Sequence, residues 1–114
     1  MAYWTFNFKG KDYKFDGDKQ LTLNTLRDIK RANPEIGTYK RFMDAFGEID
    51  QDAIAWVIRI SKLAAGEQNV PPVEYMEDFS IVDDFLVDLK FVPDAPDVLD
   101  PTQDSENESA QIQD

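Results

Sequence analysis

The sequence predicts an α+β fold: an N-terminal β-hairpin packed on a small bundle of three to five short helices, with a disordered acidic C-terminal tail. Three observations predict it. Aromatic side chains alternate through the first fifteen residues, as in a half-buried strand pair. Three amphipathic stretches bounded by capping residues, Pro and Gly follow them. From Pro93 onward the chain loses its basic residues and nearly all its apolar ones.

The hairpin comes first. Trp4, Phe6 and Phe8 alternate with Tyr3, Thr5 and Asn7, and Tyr13 and Phe15 resume the pattern after a break at Lys9-Gly10-Lys11-Asp12. Gly10 can supply the positive φ of a tight turn. Residues 16–18 end the second strand. A lone two-stranded hairpin is marginal in water, so its aromatic face must cover something.

Three helices follow. Thr22 caps one over 23–33, with Leu23, Leu26 and Ile29 at helical spacing, and Pro34 stops it. Thr38 caps a second over 39–46, with Tyr39, Phe42, Met43 and Phe46 as its apolar stripe and Gly47 as its end. Asp50 caps a third over 51–65. Ile54, Val57, Ile58 and Leu63 mark its buried side, Trp56 and Ile60 widen it, and Gly66 terminates it in the left-handed region. This most apolar helix should form the centre of the core.

Beyond Pro71-Pro72 the pattern is less regular. Tyr75, Met76, Phe79, Val82, Phe85, Leu86 and Leu89 fit one stripe at three- and four-residue steps, which predicts short helices over 73–79 and 83–90. Phe79, Ile81 and Val82 also suit a short strand. Residues 1–92 therefore read as one globular domain and 93–114 as the tail.

The chain has 114 residues, with 12 Lys+Arg against 23 Asp+Glu, for a net charge of -11. Seven of the acids lie after Pro93 with no base among them, which leaves residues 1–92 at a net -4. A surplus of acid argues against nucleic acid and against an anionic membrane surface as partners. No apolar run approaches the 18–20 residues of a spanning helix, and MAYWTFNFKGK has neither the basic nor the apolar region of a secretory leader. With no His and no Cys, serine–histidine and cysteine–histidine catalysis are excluded, as are thiolate metal sites. No catalytic, cofactor-binding or metal-binding residue is expected. The five glycines form no phosphate loop. Asp16-Gly17-Asp18 opens like a calcium loop, but Arg27 stands at the twelfth position, where Glu is needed.

The sequence points to a partner-binding surface instead. Arg27, Lys30 and Arg31, with Lys40 and Arg41, bracket the Pro34 turn and suit an acidic segment, the chain's own tail included; a solvated helix surface is the plainer reading. A domain of this size cannot bury all of Phe79, Phe85 and Phe91 beside the hairpin aromatics. An exposed apolar set around Phe79 and Phe85 is therefore expected to meet a partner.

In order and spacing the segments FNFKGKDYKFD, TLRDIKRANPE, YKRFMDAFGEIDQDAIAWVIRISKLAAGE and VEYMEDFSIVDD resemble the small tail assembly chaperones of long-tailed bacteriophages, particularly those of actinobacterial hosts. The resemblance covers about residues 5–85. It is carried by Phe8, Gly10, Tyr13 and Phe15, then Leu26, Ile29 and Lys30, then Asp50, Asp52, Ala53, Ala55, Trp56, Ala65, Gly66 and Glu67. It implies a non-enzymatic protein that coats and solubilises the tape measure protein. It also implies a longer form, made by ribosomal frameshifting, that helps recruit tail tube protein. It places the chain in the host cytoplasm during assembly and outside the mature virion, with self-association allowed. Two alternatives stay open: an acidic inhibitor or DNA mimic that binds a host DNA-binding protein, and a minor structural protein of the virion tail.

Overall fold

The computed structural model describes residues 2–93. The expected tail lies, from residue 94 on, outside the described residues. The fold is α+β: a three-stranded antiparallel sheet packed on helices.

Strands β1 (Tyr3–Phe8) and β2 (Lys11–Phe15) form the expected hairpin, with Phe8 opposite Lys11. The loop is thus only Lys9-Gly10, and the second strand begins earlier than the sequence suggests. Both loop residues have positive φ, 51° and 87°. That is the pattern of a type I′ turn, whose twist matches that of the strands. Phe6, Phe8, Tyr13 and Phe15 are buried on the inner face, while Asp12 and Lys14 are exposed on the outer one.

A one-turn helix absent from the sequence reading follows, α1 (Gly17–Gln20). Asp16 caps it from a buried position, accepting from the N–H groups of Asp18 and Lys19 at 3.1 and 3.4 Å. The calcium-like Asp-Gly-Asp run is therefore a helix cap. Helix α2 (Leu23–Ala32) matches its prediction, with Thr22 accepting from the Thr25 N–H. Only Ile29 of α2 is fully buried; Leu23, in the first turn, stays in solvent.

After a 3-10 turn at Pro34–Ile36, helix α3 (Tyr39–Gly47) is capped by Thr38 and buries Phe42, Ala45 and Phe46. It does not end on a left-handed Gly47. Ile49 takes that conformation, with φ 62°. The Ile49 N–H reaches Phe46 O and the Asp50 N–H reaches Ala45 O, the two bonds of a Schellman motif. Asp50 still stands at the N-cap of α4 (Gln51–Ala64), but its carboxylate makes no capping bond. Helix α4 is the expected core, burying Ala53, Ile54, Trp56, Val57, Ile58, Ile60 and Ser61. Leu63, expected inside, is exposed. The Lys62 ammonium, 5.1 Å from the Phe8 ring centroid, holds the position toward the sheet. A second Schellman motif closes α4: Gly66 N–H to Leu63 O and Glu67 N–H to Lys62 O, with Gly66 at φ 86°.

The C-terminal segment departs most from expectation. In place of two helices over 73–79 and 83–90 there are a 3-10 turn at Val73–Tyr75, an extended stretch, helix α5 (Ile81–Asp84), a 3-10 turn at Leu86–Asp88, and strand β3 (Lys90–Val92). Strand β3 pairs with β1, Phe91 opposite Trp4, and makes β1 the central strand. The apolar residues of this segment reach the core singly, from short turns that face different ways. A single helical stripe cannot describe them.

Candidate partner-binding surface

The expected site residues separate into a basic edge and an aromatic pair. Arg27, Lys30 and Arg31 are all exposed on α2, at the i, i+3, i+4 spacing of one face. Arg31 Nη1 lies 2.9 Å from Asp28 Oδ1, and on α3 Lys40 Nζ lies 2.6 Å from Asp44 Oδ2. The Asp44 contact raises the Lys40 pKa above its ordinary value. Such exposed pairs contribute little to stability. Lys30 also supports the backbone. A Cβ added at Gly37 would fall 2.5 Å from Lys30 Cβ, so the lysine stem packs directly on glycine there. Behind this edge, Trp56 Nε1 donates to Asn33 Oδ1 at 2.9 Å, joining α4 to the end of α2.

The aromatic pair is not the exposed set the sequence predicts. Phe85 is 0% exposed, with its ring centroid 4.9 Å from Phe6 and 6.4 Å from Phe46. Phe79 is half-buried, edge-on to Phe8 at 5.1 Å. The hairpin's inner face is wide enough to take both rings, which is why neither is left over.

Leu23, Tyr39, Ile49 and Leu63 are exposed on the helices and their ends, and four further apolar side chains stay in solvent on the C-terminal segment. Tyr75 is 77% exposed, Val82 60%, Val87 66% and Phe91 51%. The signal for two of them is present in the sequence. Ile81-Val82 and Leu86-Val87 are adjacent apolar doublets, and a one-turn helix can bury only one member of each. Ile81 and Leu86 pack on the core; Val82 and Val87 face out. Asp83, Asp84 and Asp88 stand among them.

The segment that displays these side chains is fastened at several points. Lys9 Nζ donates to Glu77 Oε1 and to Asp78 O, both at 3.1 Å. Arg59 Nε donates to Pro71 O at 3.1 Å. Ser80 caps α5 reciprocally: the Asp83 N–H donates to Ser80 Oγ, and the Ser80 N–H donates to Asp84 Oδ2. Glu67, just before the segment, accepts from Tyr13 Oη and from Lys11 Nζ, the latter at 3.0 Å. These two donors, tyrosine first, hold the Glu67 carboxyl below its ordinary value of 4.5. Burial, with the bond to Glu67 second, pushes the Tyr13 phenol up to about 12.

Most residues that carry the family resemblance are structural. Gly10 turns the hairpin, Phe8, Tyr13, Phe15, Ile29, Ala53 and Trp56 are buried, and Gly66 and Glu67 close α4 and join it to β2. Among the described residues no group of three acids could hold a metal ion, and no helix is long and apolar enough to cross a membrane. Compared with protein-family models, with curated proteins and with solved structures, the chain matches none.

Proposed function

We propose that this protein is a non-catalytic assembly chaperone of a long-tailed bacteriophage that holds apolar helices of the tape measure protein in solution. The observation that carries the reading is the exposure of four apolar side chains, Tyr75, Val82, Val87 and Phe91, on a segment whose other apolar residues anchor it to the core. Four such side chains in seventeen residues leave apolar area in solvent, and exposed apolar area is what meets the apolar face of an amphipathic helix. The interspersed acids suit a client helix with a basic polar face. The resemblance of residues 5–85 to tail assembly chaperones gives the same client. The client surface includes the residues around Phe79 but is centred on the two valines, because Phe85 is a core residue. The net charge of -11 keeps a complex with an apolar client dispersed.

Affinity purification of the tagged chain from phage-infected cells tests this reading. The tape measure protein should co-purify, and replacing both Val82 and Val87 by Asp should reduce its recovery about tenfold or more, as interface anchors do. Equal recovery with the double variant, or none with the wild type, contradicts the reading.

A further inference from the structure

Strand β2 carries a charge pattern complementary to itself. Because β1 is central, β2 has a strand neighbour on one side only among the described residues. With Phe8 and Lys11 flanking a two-residue turn, Lys11, Tyr13 and Phe15 aim their backbone groups at β1. Asp12 and Lys14 therefore aim their N–H and C=O groups outward, and no backbone hydrogen bond to them from a turn or loop occurs among the described residues. Both side chains are exposed on the outer face. A concavity of about 860 Å³ reaches from Thr5 and Asn7 of β1 past Asp12 and Lys14 to the short side chains Ser61, Ala64 and Ala65 of α4.

We propose that this edge pairs with the same edge of a second copy of the chain, antiparallel about a two-fold axis at Tyr13, to make one six-stranded sheet. Outward-pointing backbone groups must meet outward-pointing groups, which leaves three close registers. One sets Asp12 against Asp12, another Lys14 against Lys14, and the third Asp12 against Lys14 on both sides of the axis. Like charges directly opposite destabilise a strand pair and opposite charges stabilise it. Only the third register gives four backbone hydrogen bonds and two favourable charge pairs. The side chains have capacity for it. Lys14 Nζ has no carboxylate within ion-pair distance among the described residues and rests over the Tyr3 ring, 4.3 Å from its centroid. The Asp12 carboxylate takes one N–H, from Asn7 at 3.0 Å, and keeps further lone pairs. Charged edge positions repel an arbitrary strand, so this pattern selects the complementary one. The chain's own acidic C-terminal sequence does not qualify, since residues 94–114 contain no base to set opposite Asp12.

The test is sedimentation equilibrium of the full chain across a concentration series, with charge reversals. The wild type should dimerise. Asp12→Lys alone and Lys14→Asp alone should each weaken association about tenfold or more, because both cross-strand pairs become repulsive. The combined Asp12→Lys, Lys14→Asp chain should recover to within about threefold of wild type, because exchanging the charges restores both pairs. A wild type that stays monomeric, a dimer indifferent to the single reversals, or a double variant no better than the singles overturns the proposal. Amide exchange on the unmodified chain gives a readout that needs no variant to fold. The Asp12 and Lys14 amides should slow as concentration rises, and unchanged rates in a dimer place its interface elsewhere.

Discussion

Ile49 is held where a β-branched residue is least comfortable. Its φ of 62° closes the Schellman motif of α3, and its side chain is exposed, so little packing repays the strain. Ile49→Gly should therefore raise stability by about 0.5–1 kcal/mol, the strain relieved less the entropy that glycine adds to the unfolded chain. In a domain of this size that is a gain of about 2–8 °C in Tm; an unchanged or lower Tm would show that the turn carries no strain. The sequence marks Gly47 and Gly66 alike as helix ends. Only Gly66 takes the left-handed position, because a terminator must follow the cap residue and Gly47 lies two residues before Ile49, which does. The bond between Tyr13 and Glu67 is a second residue-scale test. Tyr13→Phe should cost about 1 kcal/mol at neutral pH, toward the low end for a bond to a charged group because the carboxylate is partly exposed. The Glu67 pKa is lowered in the fold, so its contribution is complete above the ordinary 4.5 and is lost as pH falls through the folded value. Urea titrations of the two proteins should thus converge in acid; a constant difference down to the lowest pH would assign the loss to packing instead.

At the scale of elements, the doublets of the C-terminal segment separate anchor from display. Phe85→Ala should cost about 3–5 kcal/mol by opening a cavity among Phe6, Phe46 and the rest of the core. Val87→Ser, two residues away and in solvent, should change stability by less than about 0.5 kcal/mol. Chemical denaturation separates the two, and similar losses would mean that Val87 packs after all. The hairpin and the three main helices are legible in the sequence because each has local punctuation: Gly10 at the turn, Thr22 and Thr38 at the caps, Pro34 and Gly66 at the ends. The segment after Pro72 is not. Its conformation is decided by where individual side chains find room on the hairpin face, and three residues, Lys90–Val92, become a strand only because β1 offers a free edge. That is tertiary pairing, which no local pattern announces. The exposed valines were legible in principle, from adjacent apolar pairs on one-turn helices. Phe85 was not, since its burial depends on the width of the aromatic face opposite.

At the scale of the whole molecule, the two ends of the domain meet in one sheet. Strand β3 lies against β1, so Phe91 covers Trp4, which in turn packs edge-on against Phe46 of α3. The helices cover one face of that sheet, and the segment over 75–91 leads back to its edge with its apolar residues divided between core and solvent. On the proposed function, a client is held through many moderate contacts while the core stays as it is. On the proposed function the client is the tape measure protein, and co-expression of the two in a host free of other phage proteins tests it. The tape measure protein should remain in the supernatant and elute together with this chain in gel filtration. Precipitation of the tape measure protein to the same extent with and without the chain would rule out this client.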